Sequence, residues 1–416
     1  MNKTIFATDF GGEIAAIPSK SDAHRLLICA ALSDRKTKID CPQTNRDIEA
    51  TAACLRALGA DIKYENGMYT VCPIETAAAN AILPCGESGS TLRFLVPLVC
   101  ALGVEAVFEM EGRLPERPLS PLQEELESHG MVLKKEKNRL QISGRLTGHA
   151  FTIPANVSSQ FISGLLFMLT RHGGTLTLTE KTESAHYIHM TLRTLEKFGC
   201  NIEKTDTGFT VRKQILQAPQ QVQTEGDWSN AAFFLCAGAV GKNPVTVTGL
   251  DINSAQGDKE IISILRRFGA EITVKGDKIT AAPAPLHAIR IDAAQIPDLV
   301  PVLAVTACKA QGQTRIYNAG RLRIKESDRL ETTAQMLNSL GADVQIEQDS
   351  LVINGQISMR GGHINSANDH RIAMSSAVAA LLCSGAVTVE NARAVEKSYP
   401  GFWDDYEKLL RGVNPC

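Results

Sequence analysis

The stretch LRALGADIKYENGMYTV, residues 55–71, decides the fold because similar stretches return along the chain. They occupy residues 122–142, 195–211, 265–281 and 337–353. Each has the pattern of a helix end, a glycine, a short alternating strand, a polar turn and a second strand. The glycine fits a helix that stops in a left-handed residue, where a side chain would clash. We therefore predict one α/β unit that repeats.

The spacing of these glycines gives the length of the unit. Successive copies lie 71, 69, 70 and 72 residues apart, and a sixth glycine follows after another 71 residues. The glycines are Gly59, Gly130, Gly199, Gly269, Gly341 and Gly412. A regular period along the whole chain indicates about six copies of one supersecondary unit.

Six units divide naturally into two domains of three. The polar stretch KQILQAPQQVQTEGD, residues 213–227, has no clear period and indicates the boundary. The last copy stops after its helix, so we expect the N-terminal segment TIFATDF to supply its strand. We predict a strand segment at residues 1–17 that belongs to the second domain, a first domain at 18–225, and the rest of the second domain at 226–416.

Composition limits the classes of protein that need to be considered. The chain has 416 residues, is 44% hydrophobic and carries a net charge of -2, with a pI near 6.5. Such a balance is atypical of a nucleic-acid or membrane surface, which usually needs a basic face. No run of about 18 apolar residues is present, and the first residues contain no sustained apolar run, so we expect neither a membrane span nor a secretory leader. We expect neither nucleic acid nor membrane as a partner.

The eleven cysteines are dispersed, form no CxxC pair, and often lie in apolar runs such as LLICAAL. This pattern predicts reduced core thiols in a cytoplasmic protein. No heptad pattern demands assembly, so we expect a monomer.

Polar loops that interrupt the repeats are candidates for function. In the first half, PSKSDAHR places Lys20, Ser21 and Arg25 at the head of an apolar helix. Such a helix start attracts anions, although an ordinary capped helix explains the same residues. Three other loops carry similar donors, which are Gly89 in ESGSTLRF, Arg117 in LPERPL, and Ser158, Ser159 and Gln160 in SSQF.

The second half contains the densest charge. RLRIKESDRL, residues 321–330, holds three arginines, one lysine, one glutamate and one aspartate. Alternating charge is also typical of a solvated helix face. The other polar clusters contribute Asp298, Asp369, His370, Arg371 and Lys397. Cations at helix starts in both halves predict an interdomain cleft for small, multiply anionic ligands.

Two kinds of site are disfavoured by the motifs. No GxxxxGK[ST] is present, which argues against a nucleoside triphosphate in a P-loop. The HxxH formed by His186 and His189 lacks the glutamate and third ligand of a zinc protease. We expect no metal site and no cofactor.

The full set of motifs resembles the enolpyruvyl transferase family, and within it the synthases of 5-enolpyruvylshikimate 3-phosphate. The motifs PSKSDAHR, ESGSTLRF, LPERPL, SSQF, DWSNAAFFL, IPDL, KESDRL, NDHRIAM and EKSYPGF follow the family order from residue 18 to 402. The resemblance implies an α/β fold with two domains, an inside-out α/β barrel built from six βαβαββ repeats, three in each domain. It also implies transfer of a 1-carboxyvinyl group in the shikimate pathway of aromatic amino-acid biosynthesis.

The resemblance further implies how the substrates are held. Shikimate 3-phosphate would contact Lys20, Ser21, Arg25, Ser158, Ser159, Gln160, Ser184, Asp298 and Lys325. Phosphoenolpyruvate would contact Lys20, Gly89, Arg117, Gln160, Arg329, Arg371 and Lys397. The catalytic groups would be Asp298, Glu326 and Lys20, where Asp298 accepts the proton of the 5-hydroxyl and Glu326 exchanges protons with the methylene carbon. Addition would give a tetrahedral intermediate, and elimination would release phosphate.

Two features qualify the resemblance and its consequences. Arg321 stands where the family commonly has an asparagine that touches the shikimate ring. Gly89 leaves the phosphoenolpyruvate pocket uncrowded, which predicts inhibition by analogues similar to glyphosate.

Two alternative functions need to be weighed. The first is the sister transferase that acts on UDP-N-acetylglucosamine and uses a loop cysteine, but no cysteine lies between Cys100 and Cys200. The second is a noncatalytic binder of phosphorylated ligands. Carboxylates such as Asp298 and Glu326 argue against the second, because they would repel an anion without serving its binding.

Overall fold

A computed structural model of the chain describes residues 1–6, 9–356 and 358–411. The chain divides into two compact units. The first consists of Met1–Ile17 and Glu225–Cys416, and we call it the split unit. The second, Pro18–Thr224, is the continuous unit. Each unit has a hydrophobic core of its own.

The elements up to residue 224 alternate between short strands and helices. In chain order they are β1 (Lys3–Ile5), β2 (Gly12–Ala15), α1 (Lys20–Ala31), β3 (Thr37–Asp40), α2 (Arg46–Ala57), β4 (Asp61–Glu65), β5 (Met68–Cys72), β6 (Asn80–Gly86), α3 (Gly89–Leu102), β7 (Glu105–Met110), α4 (Leu122–Ser128), β8 (Met131–Glu136), β9 (Arg139–Gly144), β10 (Ala150–Pro154), α5 (Ser159–His172), β11 (Gly174–Thr179), α6 (Ala185–Lys197), β12 (Ile202–Thr205), β13 (Gly208–Val211) and β14 (Gln221–Gln223). A 3-10 helix spans Leu114–Glu116.

The elements after residue 224 repeat the same alternation. They are α7 (Trp228–Val240), β15 (Val245–Thr248), α8 (Ile261–Phe268), β16 (Glu271–Lys275), β17 (Lys278–Ala282), β18 (Arg290–Asp292), α9 (Val300–Lys309), β19 (Gln313–Tyr317), α10 (Arg329–Ser339), β20 (Asp343–Glu347), β21 (Ser350–Asn354), β22 (Gly362–Asn365), α11 (His370–Ala380), β23 (Val387–Glu390) and α12 (Phe402–Arg411). Short 3-10 helices span Gly257–Glu260, Pro297–Leu299, Gly320–Ile324 and Ala392–Lys397.

The sheets of the continuous unit share one topology. Their strand orders are β14-β3-β5-β4, β6-β7-β9-β8 and β10-β11-β13-β12. In each sheet the first two strands are parallel and the other neighbours are antiparallel. The late strand β14 completes the sheet of the first repeat by pairing with β3. This strand order is the one expected of a βαβαββ unit.

The split unit has the same topology with one strand fewer. Its strand orders are β2-β15-β17-β16, β18-β19-β21-β20 and β22-β23-β1 in the described residues. The strand β1 pairs antiparallel with β23, where Ile5 lies opposite Val387. The N-terminal segment therefore completes the sheet of the last repeat. The mixed α/β class predicted from the sequence is confirmed.

The glycines that define the period end their helices as predicted. The φ angles of Gly59, Gly130, Gly199, Gly269 and Gly341 are 113°, 87°, 70°, 104° and 91°. These values lie in the left-handed region, where a residue with a Cβ is strained. The sixth predicted cap, Gly412, lies outside the described residues.

Side-chain caps fix where the functional helices begin. Ser19 accepts a hydrogen bond from the backbone N–H of Asp22 at the start of α1, so Ser19 is the cap of this helix. Ser88 and Ser158 cap α3 and α5 in the same way. In the split unit the caps of α7, α10 and α11 are Asp227, Asp328 and Asp369. Each cap satisfies one backbone donor that the helix leaves without a partner.

The described cysteines agree with the prediction of reduced core thiols. All ten are free, and nine are buried, with Cys72 half-buried. Cys416 lies outside the described residues. None of the described helices combines the length and the apolar character that crossing a bilayer requires.

Candidate functional site

The first predicted loop of the continuous unit begins α1. Lys20 is the first residue of this helix, and its Nζ lies 2.8 Å from Oδ2 of Asp47 in the first turn of α2. Both side chains keep some contact with solvent, with 15% and 13% of their surface exposed. The lysine is therefore held in a defined position while it stays reachable by a ligand.

Arg25 is almost completely buried one turn further along α1. Its Nη1 donates to the carbonyl of Ser21, its Nε to Thr191 Oγ1 and its Nη2 to the carbonyl of Tyr187, at 2.6, 2.8 and 2.9 Å. Burial lowers the pKa of Arg25 to about 10. These contacts fasten α1 to α6, the helix that follows Ser184.

The predicted residues Gly89, Arg117 and Gln160 lie in one cluster around Arg93. A Cβ on Gly89 would lie 2.6 Å from Arg93 Nη1 and 2.7 Å from Arg117 Nη1, so only glycine fits without moving a guanidinium. Arg93 Nη1 lies 3.4 Å from Gln160 Oε1, and Gln160 Nε2 donates to Ser90 Oγ at 2.9 Å. The starts of α3 and α5 thus converge with two arginines, which suits an anion.

The predicted serines lie at two helix starts. Ser158 caps α5 and accepts from the N–H of Gln160 at 3.3 Å, and Ser159 is the buried first residue of that helix. Ser184 precedes α6 with φ of 52°, a left-handed conformation that is uncommon for a residue with a side chain. Such backbone strain persists where the surroundings hold it and is frequent in functional sites.

Arg329 is the residue around which the predicted site residues of the split unit gather. Only 1% of its side chain is exposed. It donates from Nη1 to Asp298 Oδ1 at 2.9 Å, from Nη2 to Glu326 Oε2 at 2.7 Å, and from Nε to Asp369 Oδ2 at 2.8 Å. Burial lowers the pKa of Arg329, but the three carboxylates outweigh it and raise the pKa above its ordinary value. One guanidinium therefore fixes three carboxylates from three segments of the chain.

Asp298 contacts two further cations. Its Oδ1 lies 3.6 Å from Lys325 Nζ, and its Oδ2 lies 3.3 Å from Arg371 Nη2. Burial raises the pKa of Asp298, but Arg371, Lys325 and Arg329 together hold it well below its ordinary value. Asp298 is therefore ionised near neutral pH. It is also a weak base as long as all three cations face it.

Lys325 has the opposite shift. Burial lowers its pKa to about 8, although Asp298 opposes this effect. The ammonium is thus charged at neutral pH and loses its charge only slightly above it.

Lys397 joins this cluster through the loop before α11. Its Nζ donates to the carbonyl of Asn368 at 2.6 Å, next to the helix cap Asp369. All six residues predicted in the second half are thus brought together in the split unit. We call this group, Asp298, Lys325, Glu326, Arg329, Arg371 and Lys397, the charged cluster.

Three carboxylates that matter here received no role from the sequence, although Asp369 was named among the polar clusters. Asp369 holds Arg329, and Asp47 holds Lys20. Asp258 is buried and accepts from the hydroxyl of Ser229, and burial together with Asp298 raises its pKa to about 6. Asp369 and Asp47 lie in the opening turn of a helix, where sequence cannot distinguish a partner of a distant cation from an ordinary cap.

Three further charged residues of RLRIKESDRL, which are Arg321, Arg323 and Asp328, receive no chemical role. Asp328 caps α10 and lies 2.9 Å from Arg323 Nη1, where Arg323 is exposed and Asp328 is half-buried. Arg321 lies in the 3-10 helix before Lys325. Burial is the main cause of the lowered pKa of Lys325, and the positive charge of Arg321 lowers it further.

The arrangement can bind anions and move protons. Cations at helix starts provide the binding, and the carboxylates of Asp298 and Glu326, fixed by Arg329, provide groups that accept or give a proton.

Comparisons with known proteins agree over the whole chain. The model of the family described as EPSP synthase (3-phosphoshikimate 1-carboxyvinyltransferase) matches residues 7–406. The protein named 3-phosphoshikimate 1-carboxyvinyltransferase from Clostridium novyi (strain NT) is 39% identical, over 98% of this chain and 97% of that protein. The protein of the same name from Clostridium kluyveri is 40% identical, over 98% and 96%.

Solved structures give the same picture. The EPSP synthase of Acinetobacter baumannii is 26% identical, with a TM-score of 0.80 and coverage of 98% of both chains. The enolpyruvyl transferase NikO of Streptomyces tendae is 22% identical, with a TM-score of 0.78 and coverage of 98% and 96%. The second likeness supports the fold alone.

Proposed function

The chain belongs to the EPSP synthase family, and from this premise we propose that its charged cluster carries out enolpyruvyl transfer. The reaction moves the enolpyruvyl group of phosphoenolpyruvate to shikimate 3-phosphate in the shikimate pathway, so the enzyme is a transferase. The observation that carries the assignment of residues is the contact of Arg329 with both Asp298 and Glu326. It holds an acid and a base among the cations that two polyanionic substrates require.

In this proposal both units contribute binding residues. Phosphoenolpyruvate contacts the donors around Gly89 and the cations of the charged cluster. The full set for phosphoenolpyruvate is Lys20, Gly89, Arg117, Gln160, Arg329, Arg371 and Lys397. The set for shikimate 3-phosphate is Lys20, Ser21, Arg25, Ser158, Ser159, Gln160, Ser184, Asp298 and Lys325. Their action together in one cleft stays a prediction from the sequence.

The chemistry requires two proton transfers. The methylene carbon of phosphoenolpyruvate gains a proton, which makes the neighbouring carbon electrophilic, and the 5-hydroxyl of the acceptor loses a proton as it attacks. We assign the first transfer to Glu326 and the second to Asp298 with Lys20. The tetrahedral adduct then loses a proton and phosphate, which restores the double bond.

The depressed pKa of Asp298 is compatible with a role as base once substrates are bound. Its three cations are also the cations that the proposal assigns to substrate anions. When phosphate and carboxylate groups share those cations, the pKa of Asp298 rises toward a value at which it accepts a proton more readily. Substrate binding would therefore activate the base.

The deciding experiment is release of inorganic phosphate from phosphoenolpyruvate and shikimate 3-phosphate. We expect release that depends on both substrates and yields a carboxyvinyl ether on the 5-hydroxyl. Equal release with UDP-N-acetylglucosamine as acceptor would favour the sister activity. Binding of both ligands without any release would favour a noncatalytic binder.

The affinity for shikimate 3-phosphate should depend on the charge of Lys325. Because the pKa of Lys325 is about 8, the free enzyme loses this cation as pH rises above 8. We expect kcat/KM for shikimate 3-phosphate to fall about tenfold per pH unit above that value. The measurement is kcat/KM for this substrate between pH 6.5 and 10.

Variants identify the lysine responsible. Lys325→Arg should remove the fall in kcat/KM above pH 8, because an arginine stays charged over this range. Lys309→Arg is the matched control, since Lys309 is half-buried and donates to the carbonyl of Val240. The assignment is wrong if Lys325→Arg and the wild type have parallel pH profiles.

Gly89 should control inhibition by glyphosate. We expect the wild type to be inhibited, because an analogue with two anionic groups can use the same donors as phosphoenolpyruvate. Gly89→Ala should raise the concentration for half-inhibition by about tenfold or more, since its Cβ would lie 2.6 Å from Arg93 Nη1. The measurement is inhibition at fixed phosphoenolpyruvate.

A second alanine variant tests whether resistance depends on substitution at Gly89 in particular. Gly401→Ala is the matched control, because a Cβ there would lie 3.8 Å from its nearest neighbour, an ordinary contact. Unchanged wild-type activity at saturating glyphosate would contradict the prediction. Equal resistance in both variants would show that the effect is unspecific.

We also propose that the enzyme acts as a monomer in the cytoplasm. The location is supported by the ten cysteines of the described residues, which are all free and of which nine are buried.

A further inference from the structure

We propose that His24 is a positioning residue for phosphoenolpyruvate binding, acting through a buried chain of hydroxyl groups. The chain runs from His24 through Thr51 and Thr91 to Ser88, the cap of α3. It holds the first residue of α3, Gly89, against the starts of α1 and α2. This inference rests on the proposed function, in which Gly89 and Lys20 contact phosphoenolpyruvate.

The chain of hydroxyl groups is continuous and buried. His24 Nδ1 lies 2.7 Å from Thr51 Oγ1, Thr51 Oγ1 lies 2.6 Å from Thr91 Oγ1, and Thr91 Oγ1 lies 2.7 Å from Ser88 Oγ. None of the four residues is more than 1% exposed. Water is therefore kept from these hydroxyls, and each hydrogen bond must be made within the protein.

The direction of donation along the chain follows from the single proton of each hydroxyl. Thr91 donates to Ser88, so it has to accept from Thr51. Thr51 has then used its proton and has to accept from Nδ1–H of His24. The chain thus requires the tautomer of His24 that carries its proton on Nδ1.

His24 is also held neutral. Burial, and then the charges of Lys20 and Arg25, lower the pKa of His24 well below its ordinary value. Its Nε2 is buried with no hydrogen-bond partner among the described residues. A second proton there would be a buried donor without an acceptor, so the imidazole serves as a fixed donor through Nδ1 alone.

The chain of hydroxyl groups connects the starts of three helices, which carry residues proposed to bind phosphoenolpyruvate or to hold those residues in place. Lys20 begins α1 one turn before His24, and its partner Asp47 lies in the first turn of α2, one turn before Thr51. The carbonyl of Asp47 also lies 3.5 Å from Thr91 Oγ1. Lys20, Asp47 and the cap of α3 are therefore parts of one bonded network. A missing hydroxyl would leave its neighbour unsatisfied and favour a shift of the start of α3.

The contacts of α1 with α6 do not use this chain. Arg25 reaches Thr191 and the carbonyl of Tyr187, whereas His24 bonds to α2. Loss of a hydroxyl in the chain should therefore weaken phosphoenolpyruvate binding more than shikimate 3-phosphate binding. Such a selective effect separates positioning of Gly89 from a general loss of packing.

The test compares steady-state kinetics and Tm of the whole enzyme with five substitutions. Thr91→Val and Thr51→Val each remove one hydroxyl of the hydrogen-bonded chain with little change of shape, and His24→Leu removes the donor. His24→Asn is the conservative variant, because an amide N–H can replace Nδ1–H. Thr170→Val is the matched control, since Thr170 is buried and donates to the carbonyl of Phe167 in its own helix.

We expect Thr91→Val, Thr51→Val and His24→Leu to raise KM for phosphoenolpyruvate about tenfold, with kcat and KM for shikimate 3-phosphate within about threefold. His24→Asn and Thr170→Val should keep wild-type KM values. If His24→Leu does not fold, Thr91→Val and Thr51→Val decide the question.

Three results would overturn the proposal. KM for phosphoenolpyruvate could stay within twofold in both hydroxyl variants, or Thr170→Val could raise it as much as they do. His24→Asn could also be as impaired as His24→Leu, which would show that the donor is irrelevant. A wild type that releases no phosphate from the two substrates would instead refute the proposed function.

Discussion

Glu326→Gln is expected to lower kcat for phosphate release by about 10²- to 10⁴-fold, the usual contribution of a general acid or base. Glutamine has the shape of glutamate, and its amide oxygen can still accept from Arg329 Nη2, now 2.7 Å from Glu326 Oε2. The variant therefore keeps the arrangement of the cluster but loses the proton that glutamate exchanges. KM for both substrates should stay within about threefold.

The control for this substitution lies in α10, the helix that begins just after Glu326. Glu331 is exposed in the first turn of α10, where its Oε1 accepts from Gln335 at 2.8 Å. Glu331→Gln should therefore leave kcat unchanged. Retention of most of the wild-type kcat in Glu326→Gln would exclude Glu326 as the proton carrier. A large loss of substrate affinity would mean that its role is structural.

Arg329→Met is expected to lower both stability and activity. The substitution leaves Asp298, Glu326 and Asp369 without the guanidinium that contacts all three. Removing one partner of a buried ion pair typically costs about 3–5 kcal/mol. For a unit of this size, that cost corresponds to a decrease in Tm of roughly 6–20 °C. Phosphoenolpyruvate turnover should be lost as well.

The loss of stability should depend on pH in a defined direction. The pKa of Asp298 and the pKa of Asp369 are both lowered in the folded protein, where burial is outweighed by cations that include Arg329. Their ion pairs therefore stabilise the fold above the unfolded pKa of about 3.9, and this stability is lost as pH falls through the lower folded values. The difference in Tm between wild type and Arg329→Met should be largest near neutral pH and shrink below pH 4.

An exposed arginine provides the comparison. Arg323 lies 2.9 Å from Asp328, and 41% of its side chain is exposed, so Arg323→Met should change the free energy of unfolding by less than about 1 kcal/mol. Equal losses of Tm in the two variants would contradict the role of burial. A pH-independent loss in Arg329→Met would show that packing rather than charge is responsible.

The sequence determined the repeat because its signals are local. A helix that ends in a left-handed residue favours glycine whatever surrounds it, and the five described cap glycines have the expected positive φ. Alternating residues and polar turns likewise identified the strands that follow each cap. The family was also readable from sequence, since the motifs are short and contiguous.

The sequence motifs identified the proposed binding and catalytic residues, but they did not predict which residues these contact. Lys325, Glu326 and Arg329 are near neighbours in sequence, so their proximity needed no structure. The partners Asp47 and Asp369 lie 27 and 40 residues from the cations that they hold. No local rule links such positions, because the partner of a buried cation is decided by which helix starts the fold brings together.

The sequence by itself therefore determined the repeating α/β unit, the family and the list of charged groups. Only the tertiary structure decided that one buried guanidinium contacts three carboxylates. The same holds for the pKa values, which leave Asp298 ionised and Lys325 charged at neutral pH, with Lys325 losing its proton around pH 8. The tertiary structure also decided that His24 begins a chain of buried hydroxyls. The physical reason is that burial and the distance between charges set these properties, and both depend on residues far apart in the chain.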